Sequence, residues 1–224
     1  MIFDFGETLA TGKLDAKSYR QQLLAYIHSL GYALSEKTLA KTLDGMLATL
    51  MKARKENREL TFEELYSRVL VKLGINPTEE VLSHIHGLYA ENFTVEPVPR
   101  VTEVLQTLYG RYKLAVISNA MSQLPRLALE KAGLTKFFQL IIISRDLGIR
   151  KPDPKIFKYA LKKLGVKPEE TIHVGDSMEQ DVVGAKNAGI KSVWIKNKEE
   201  PILEEPNYTI SSITELPKII NRYA

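Results

Sequence analysis

Residues 171–181 read Thr-Ile-His-Val-Gly-Asp-Ser-Met-Glu-Gln-Asp. An apolar run, Thr171 to Val174, stops in a Gly175-Asp176-Ser177 turn, and a second acid, Asp181, follows five residues after Asp176. Three more runs of the same kind occur at Leu114 to Ile117, Leu140 to Ile143 and Ser192 to Ile195. They lack a regular polar alternation, as strands do when both faces of a parallel sheet are covered. The segments between them carry helical spacing and end at Gly110, Gly133, Gly165 and Gly189, where helix stops belong. The tail from Ser212 to Tyr223 reads as a final helix despite Pro217. At the other end, Met1 to Phe3 is a short apolar run that opens at once onto an acidic, Gly-containing turn. The alternation predicts an α/β domain with a doubly wound, Rossmann-like parallel sheet.

One long segment breaks the alternation. From Ala16 to Asn92, Tyr19, Leu23, Tyr26, Ile27 and Leu30 recur at helical steps, and so do Leu39, Leu43, Met46, Leu47 and Leu50. Thr61 with Glu64 forms a capping box ahead of Leu65, Val69 and Leu70, while Gly31 and Gly74 stand at helix ends. No convincing strand lies in this stretch. The expected organisation is a core of residues 1–14 and 96–224, with an all-helical domain, 15–95, inserted after the first strand.

Composition narrows the chemistry. The 224 residues hold no cysteine, which excludes a disulfide framework, thiolate zinc, iron–sulfur ligation and a thiol nucleophile. Thirty-one basic against 27 acidic residues give +4, too small an excess to imply a nucleic-acid partner. No run approaches the roughly 18 apolar residues of a membrane span. The opening MIFDFGETLA has no basic n-region, so the expected compartment is the cytoplasm. In an open parallel sheet, ligands bind beyond the carboxyl ends of the strands. The polar residues there are Asp4, Ser118 with Asn119, Lys151 in the loop that follows a strand, and Asp176 with Asp181.

In this order, Asp4-Phe5-Gly6-Glu7-Thr8-Leu9, Ser118, Lys151 and Gly175-Asp176-Ser177-x-x-x-Asp181 resemble the four motifs of the haloacid dehalogenase-like hydrolase superfamily. The helical insert resembles that family's C1-type cap. The resemblance implies that Asp4 is a nucleophile forming an aspartyl-phosphate, and that Lys151 neutralises both Asp4 and the transferring group. Ser118 and the amide of Asn119 would donate to phosphoryl oxygens. It also implies Mg²⁺, held by Asp4, the carbonyl of Gly6, Asp176 and Asp181, and a small anionic phosphorylated substrate. The cap would act as a lid moving on hinges near residues 11–15 and 91–97.

The chain departs from the family pattern at one place. Phosphatases of the family carry a second Asp two residues after the nucleophile, where this chain has Gly6. General acid–base catalysis, typically worth ~10²–10⁴-fold, is then absent or supplied by another group, of which Glu7 is the nearest. The family's metal-independent 2-haloacid dehalogenases also lack that Asp, because a halide leaves without a proton, and they form an alternative reading. Intact Asp176 and Asp181 favour the metal-dependent phosphatase. A catalytically weak phospho-ligand-binding protein is a third reading. Some archaeal triose-phosphate phosphatases are similar in layout and also lack the second Asp, which points to a small phosphorylated metabolite, such as glyceraldehyde 3-phosphate, as the substrate. His173, Trp194 and the insert's Tyr19, Tyr26, Tyr66 and Tyr89 read as packing residues. Lys52, Arg54, Lys55 and Arg58 read as a solvated face, and His84 and His86, two apart on a helix, read as facing different ways.

Overall fold

A computed structural model describes residues 1–220. The first strand, β1 (Ile2–Phe3), leads into the Asp4 loop and then β2 (Ala10–Leu14). Four helices follow: α1 (Ala16–Ser29), α2 (Glu36–Lys55), α3 (Phe62–Lys72) and α4 (Glu79–Glu91). The chain returns through β3 (Phe93–Pro97), which pairs with β2 in a two-stranded ribbon. Helices and strands then alternate as α5 (Val101–Leu108), β4 (Ala115–Ser118), α6 (Leu124–Lys131), β5 (Leu140–Ile143), α7 (Pro154–Leu164) and β6 (Ile172–Gly175). After β6 come a π-helical turn (Met178–Val183), α8 (Gly184–Asn187), β7 (Lys191–Ile195), β8 (Tyr208–Ile210) and α9 (Leu216–Ile220).

The main sheet has six strands in the order β5-β4-β1-β6-β7-β8, and every pairing in it is parallel. The chain moves outward from β1 in one direction through β4 and β5, then starts again on the other side with β6. β1 is therefore the switch point, with Ile2 opposite both Ala115 and His173 and Phe3 opposite both Val116 and Val174. Ile2, Ala115, Ile117 and Ile142 pack against Ile156, Phe157, Ala160 and Leu161 of α7 and Ala185 of α8. Their neighbours Phe3 and Val116 point the other way and are also fully buried. Both faces of the sheet are thus covered, which is why its strands read as apolar runs. α7 is sharply bounded: Asp153 accepts from the Lys155 amide at its start, and Gly165 closes it in the left-handed region at φ 60°.

By its internal contacts the chain divides into residues 1–11 with 96–224, and residues 12–95. Within the helical unit, α2 packs on α3, and α4 packs on α1 and α3. Ser35, Thr61 and Thr78 cap three of its helices through their side chains, Thr61 with Glu64 as a full capping box. Tyr19 and Tyr66 are buried, but Tyr26 is only half-buried and stacks on His84 at 3.9 Å. Leu30 and Leu47 fall at the margin of their helices' apolar stripes and are exposed. Arg54 departs from the reading of a solvated face, because it pairs at 3.2 Å with the buried Glu59 carboxylate.

The tail differs from a single helix over residues 212–223. A 3₁₀ turn at Ile213–Glu215, capped by Ser212, precedes the short α9, and residues beyond 220 lie outside the described ones. Among the described residues no helix is long and apolar enough to cross a membrane. If α7 and the sheet form one core, Phe157→Ala will lower the free energy of unfolding by about 3–5 kcal/mol. Met51→Ala, on an exposed face, will stay within about 0.5 kcal/mol. Urea denaturation of the two variants checks the contrast, and equal effects would contradict this packing.

Candidate active site

The switch point sets the site. Asp4 follows β1 directly and stays in register because its amide donates to the Val174 carbonyl at 2.8 Å. Ser118 ends β4, paired with Ile143, and Gly175 ends β6, so three strand ends deliver polar residues to one edge of the sheet. Lys151 arrives from the loop between β5 and α7. Asn119 holds that loop at both polar groups of residue 151: its Oδ1 accepts from the Lys151 amide at 2.9 Å, and its Nδ2 donates to the Lys151 carbonyl at 3.0 Å. The same Nδ2 donates to Gln180 at 2.8 Å, which ties the Lys151 loop to the π-helical turn.

The charged groups meet below the surface. Lys151 Nζ donates to Asp4 Oδ1 and to Asp181 Oδ1, each at 2.6 Å, and its side chain is only 1% exposed. Asp4, Asp176 and Asp181 each offer a carboxylate oxygen within 4.8 Å of the others. On the outer side Lys198, half-exposed, approaches Asp176 Oδ2 at 3.5 Å and Glu200 at 3.0 Å. Glu200 in turn accepts from the Met178 amide. The Asp176 carbonyl is pinned by the indole N–H of Trp194 at 2.8 Å, so Trp194 is more than packing.

His173 departs from the sequence reading in the same way. Its Nε2 lies 2.8 Å from Asp181 Oδ1, and the ring is fully buried. A polar side chain inside a covered strand needs a partner, which is the signal that marks it. Gly175, part of the fourth motif, has a role that the motif alone does not give. His173 and Gly175, two apart in β6, share a face of the strand. A Cβ on Gly175 would sit 2.2 Å from Asp181 Cγ, so the missing side chain is the space that Asp181 fills.

The remaining sequence candidates make no hydrogen bond to this cluster among the described residues. Ser118 is buried, and its hydroxyl has no hydrogen bond among the described residues. Gly6 forms a single bridge to Ala10, and among the described residues no atom apart from its chain neighbours lies within 4 Å of where its Cβ would be. Glu7 is exposed, with φ 54°, in the left-handed region that favours glycine.

Burial and charge decide the protonation pattern. Burial pushes Asp4 up to about 7, against the pull of Lys151. Burial and the neighbouring Asp181 raise Asp176, with Lys198 and Lys151 opposing. For Asp181 burial is outweighed by Lys151 and His173, which hold it below the usual carboxylate range. Lys151 stays charged because the Asp181 and Asp4 carboxylates outweigh its burial and raise it. Three carboxylates with one buried ammonium leave an excess of negative charge. Two unit charges 4 Å apart interact by about 4 kcal/mol at an effective dielectric constant near 20. The all-oxygen donor set could therefore hold a hard divalent cation.

A family model for the haloacid dehalogenase-like hydrolases matches residues 1–195. The chain belongs to that family. This haloacid dehalogenase-like hydrolase is 28% identical to the glyceraldehyde 3-phosphate phosphatase of Methanopyrus kandleri, over 100% of its own length and 97% of the relative's. It is 35% identical to a pyrimidine 5'-nucleotidase of Escherichia coli, over 57% of this chain and 58% of the other. Among solved structures, the 2-haloacid dehalogenase of Pseudomonas syringae covers 100% of this chain and 98% of its own at a TM-score of 0.75 and 23% identity. At that identity the likeness establishes the fold alone: a parallel α/β sheet with a helical segment inserted after the first strand.

The electrostatics predict opposite effects in metal-free buffer. Lys151→Met strands the carboxylates and will destabilise the protein by about 3–5 kcal/mol, while Asp4→Asn removes one of them and will leave stability equal or higher. The folded pKa of Asp4 lies above its unfolded value, so the folded state binds more protons from pH 4 to 7 and stability falls as pH rises there. Thermal midpoints across that range will show the fall in wild type and a flatter profile in Asp4→Asn. A steeper profile in the variant would contradict the assignment.

Proposed function

We propose that this hydrolase is a Mg²⁺-dependent phosphatase of small phosphorylated metabolites acting through an aspartyl-phosphate on Asp4. The observation that carries the reading is the Lys151 ammonium between Asp4 and Asp181, beside Asp176 in one acidic cluster. A metal-independent dehalogenation leaves that cluster without a task.

Asp4, Asp176 and Asp181 fit Mg²⁺ by donor chemistry, being hard oxygen ligands close enough to share one ion, and the Gly6 carbonyl is a fourth donor on this reading. Bound there, Mg²⁺ would neutralise the charge that the acids and a phosphate dianion bring together. The other work falls to the chain. Lys151 occupies Asp4 Oδ1 and fixes the plane of the carboxylate. An Asp4 oxygen attacks phosphorus, and the bond from phosphorus to the ester oxygen breaks with its electron pair on that oxygen, which takes a proton from solvent and leaves as the alcohol. Water then attacks the aspartyl-phosphate at phosphorus, gives a proton to solvent and frees phosphate and the Asp4 carboxylate. Ser118 and the Asn119 amide donate to the phosphoryl oxygens, and Lys151 offsets the charge on the transferring group. On this reading the helical residues 15–95 correspond to the family's C1-type cap. Similarity along nearly its whole length to the Methanopyrus kandleri phosphatase supports glyceraldehyde 3-phosphate as the substrate.

Gly6 favours the second reading, a 2-haloacid dehalogenase, because it offers no proton to a leaving oxygen. On the phosphatase reading it means that substrates with good leaving groups react best. Open space at the Gly6 Cβ position and a backbone outside the left-handed region leave room for a side chain there. Glu7, exposed and without a side-chain hydrogen bond among the described residues, is the surrogate acid to test.

Phosphate release from glyceraldehyde 3-phosphate and from aryl phosphates will require Mg²⁺ and vanish with chelator or in Asp4→Asn. Halide release from 2-chloropropionate in the presence of chelator would overturn the reading in favour of the dehalogenase. Phospho-ligand binding without turnover would favour the binding protein. Gly6→Asp will raise turnover of alkyl phosphates by ~10²-fold or more and of aryl phosphates far less. Equal gains on both would show that proton transfer is not what Gly6 withholds. Glu7→Gln will slow alkyl more than aryl phosphates if Glu7 is the acid.

A further inference from the structure

We propose that His173 is a positioning residue that sets the reach of Lys151 toward Asp4 by locking the Asp181 carboxylate. The inference rests on the phosphatase reading for its kinetic consequence, and on geometry for its structural one.

Asp181 has both oxygens committed. Oδ1 accepts from Lys151 Nζ at 2.6 Å and lies 2.8 Å from His173 Nε2, and Oδ2 accepts from the Ser177 amide at 3.0 Å. An ionised carboxylate can only accept, so Nε2 carries a hydrogen and donates it to Asp181. The ring has little freedom of its own. It is fully buried, stands edge-on to Phe157 at 5.0 Å between ring centres, and sits on a central strand paired to β1.

Lys151 is the flexible member of the chain of contacts. A four-carbon stem ending in a point charge can follow whichever carboxylate moves, and Asp4 and Asp181 both hold its ammonium. With Asp181 anchored by a rigid donor, the ammonium is centred between the two acids. Without that donor, Oδ1 keeps only Lys151 while the Ser177 amide still holds Oδ2, so the carboxylate can turn about the Oδ2 anchor and Lys151 follows Oδ1 away from Asp4. His173 touches neither substrate nor the reacting atoms on this account, and it acts only through Asp181.

The test compares His173→Leu, which removes the donor at similar volume, with His173→Gln, whose amide restores a donor at nearly the same reach. Hydrolysis of para-nitrophenyl phosphate with saturating Mg²⁺ is read with thermal midpoints for both. His173→Leu will lower kcat by ~10–100-fold, as removal of an outer-shell partner does, with KM little changed. His173→Gln will recover most of kcat although its midpoint resembles that of His173→Leu. Wild-type kcat in His173→Leu, or equal losses in both variants, would overturn the proposal. Imidazole ¹⁵N NMR of the wild-type protein provides a readout that needs neither variant nor turnover. Hydrogen on Nε2 supports the proposal, and an Nε2 that carries no hydrogen overturns it. If the wild type releases no phosphate, the phosphatase reading fails by itself and the protonation of Nε2 decides whether His173 locks Asp181.

Discussion

One buried ammonium makes the rest of the site possible. Lys151 stands between Asp4 and Asp181 at hydrogen-bonding distance from both, and Asp176 completes an acidic cluster around it. Without that cation, three carboxylates at one edge of a sheet would repel one another and lose hydration together. The Lys151 backbone is held by the Asn119 side chain at both its amide and its carbonyl. The cation is therefore placed by the framework and not only by its charge partners.

The sheet order explains why these residues meet at all. β1 is flanked by β4 and β6, so the chain reverses its direction of winding beside Asp4, the place where open parallel α/β sheets bind ligands. The strand ends supply acids and a hydroxyl, while the loop after β5 supplies the ammonium. Gly175 adds a finer condition, because any side chain there would occupy the place of Asp181. The π-helical turn that follows carries Asp181 back under the strand, with Ser177 donating to it and capping the turn. Such turns cluster at functional sites.

Much of this was legible in the residues. Both faces of the sheet are buried, so β4, β5, β6 and β7 appear as apolar runs, and the candidate residues Asp4, Asn119 and Asp176 directly follow β1, β4 and β6. The ribbon of β2 and β3 was not legible, because Ala10–Leu14 contains Gly12 and Lys13 and is largely exposed. Its pairing with Phe93–Pro97 lies across some 80 residues and has no local pattern. β8 is three residues at the sheet edge, too short to show a period. His173 was visible as a polar residue in an apolar run, yet its partner lies eight residues on, beyond a turn. The reading of Lys52 to Arg58 as solvated missed that Arg54 reaches Glu59, a buried acid just past the helix end.

The central claim is that this acidic cluster, balanced by Lys151, is built to hold one divalent cation. Calorimetric titration of Mg²⁺ into metal-free wild type and Asp176→Asn tests it most directly. One ion bound per wild-type chain, with binding lost or strongly weakened in the variant, is the predicted result. No binding to the wild type, or binding that Asp176→Asn leaves unchanged, would contradict it.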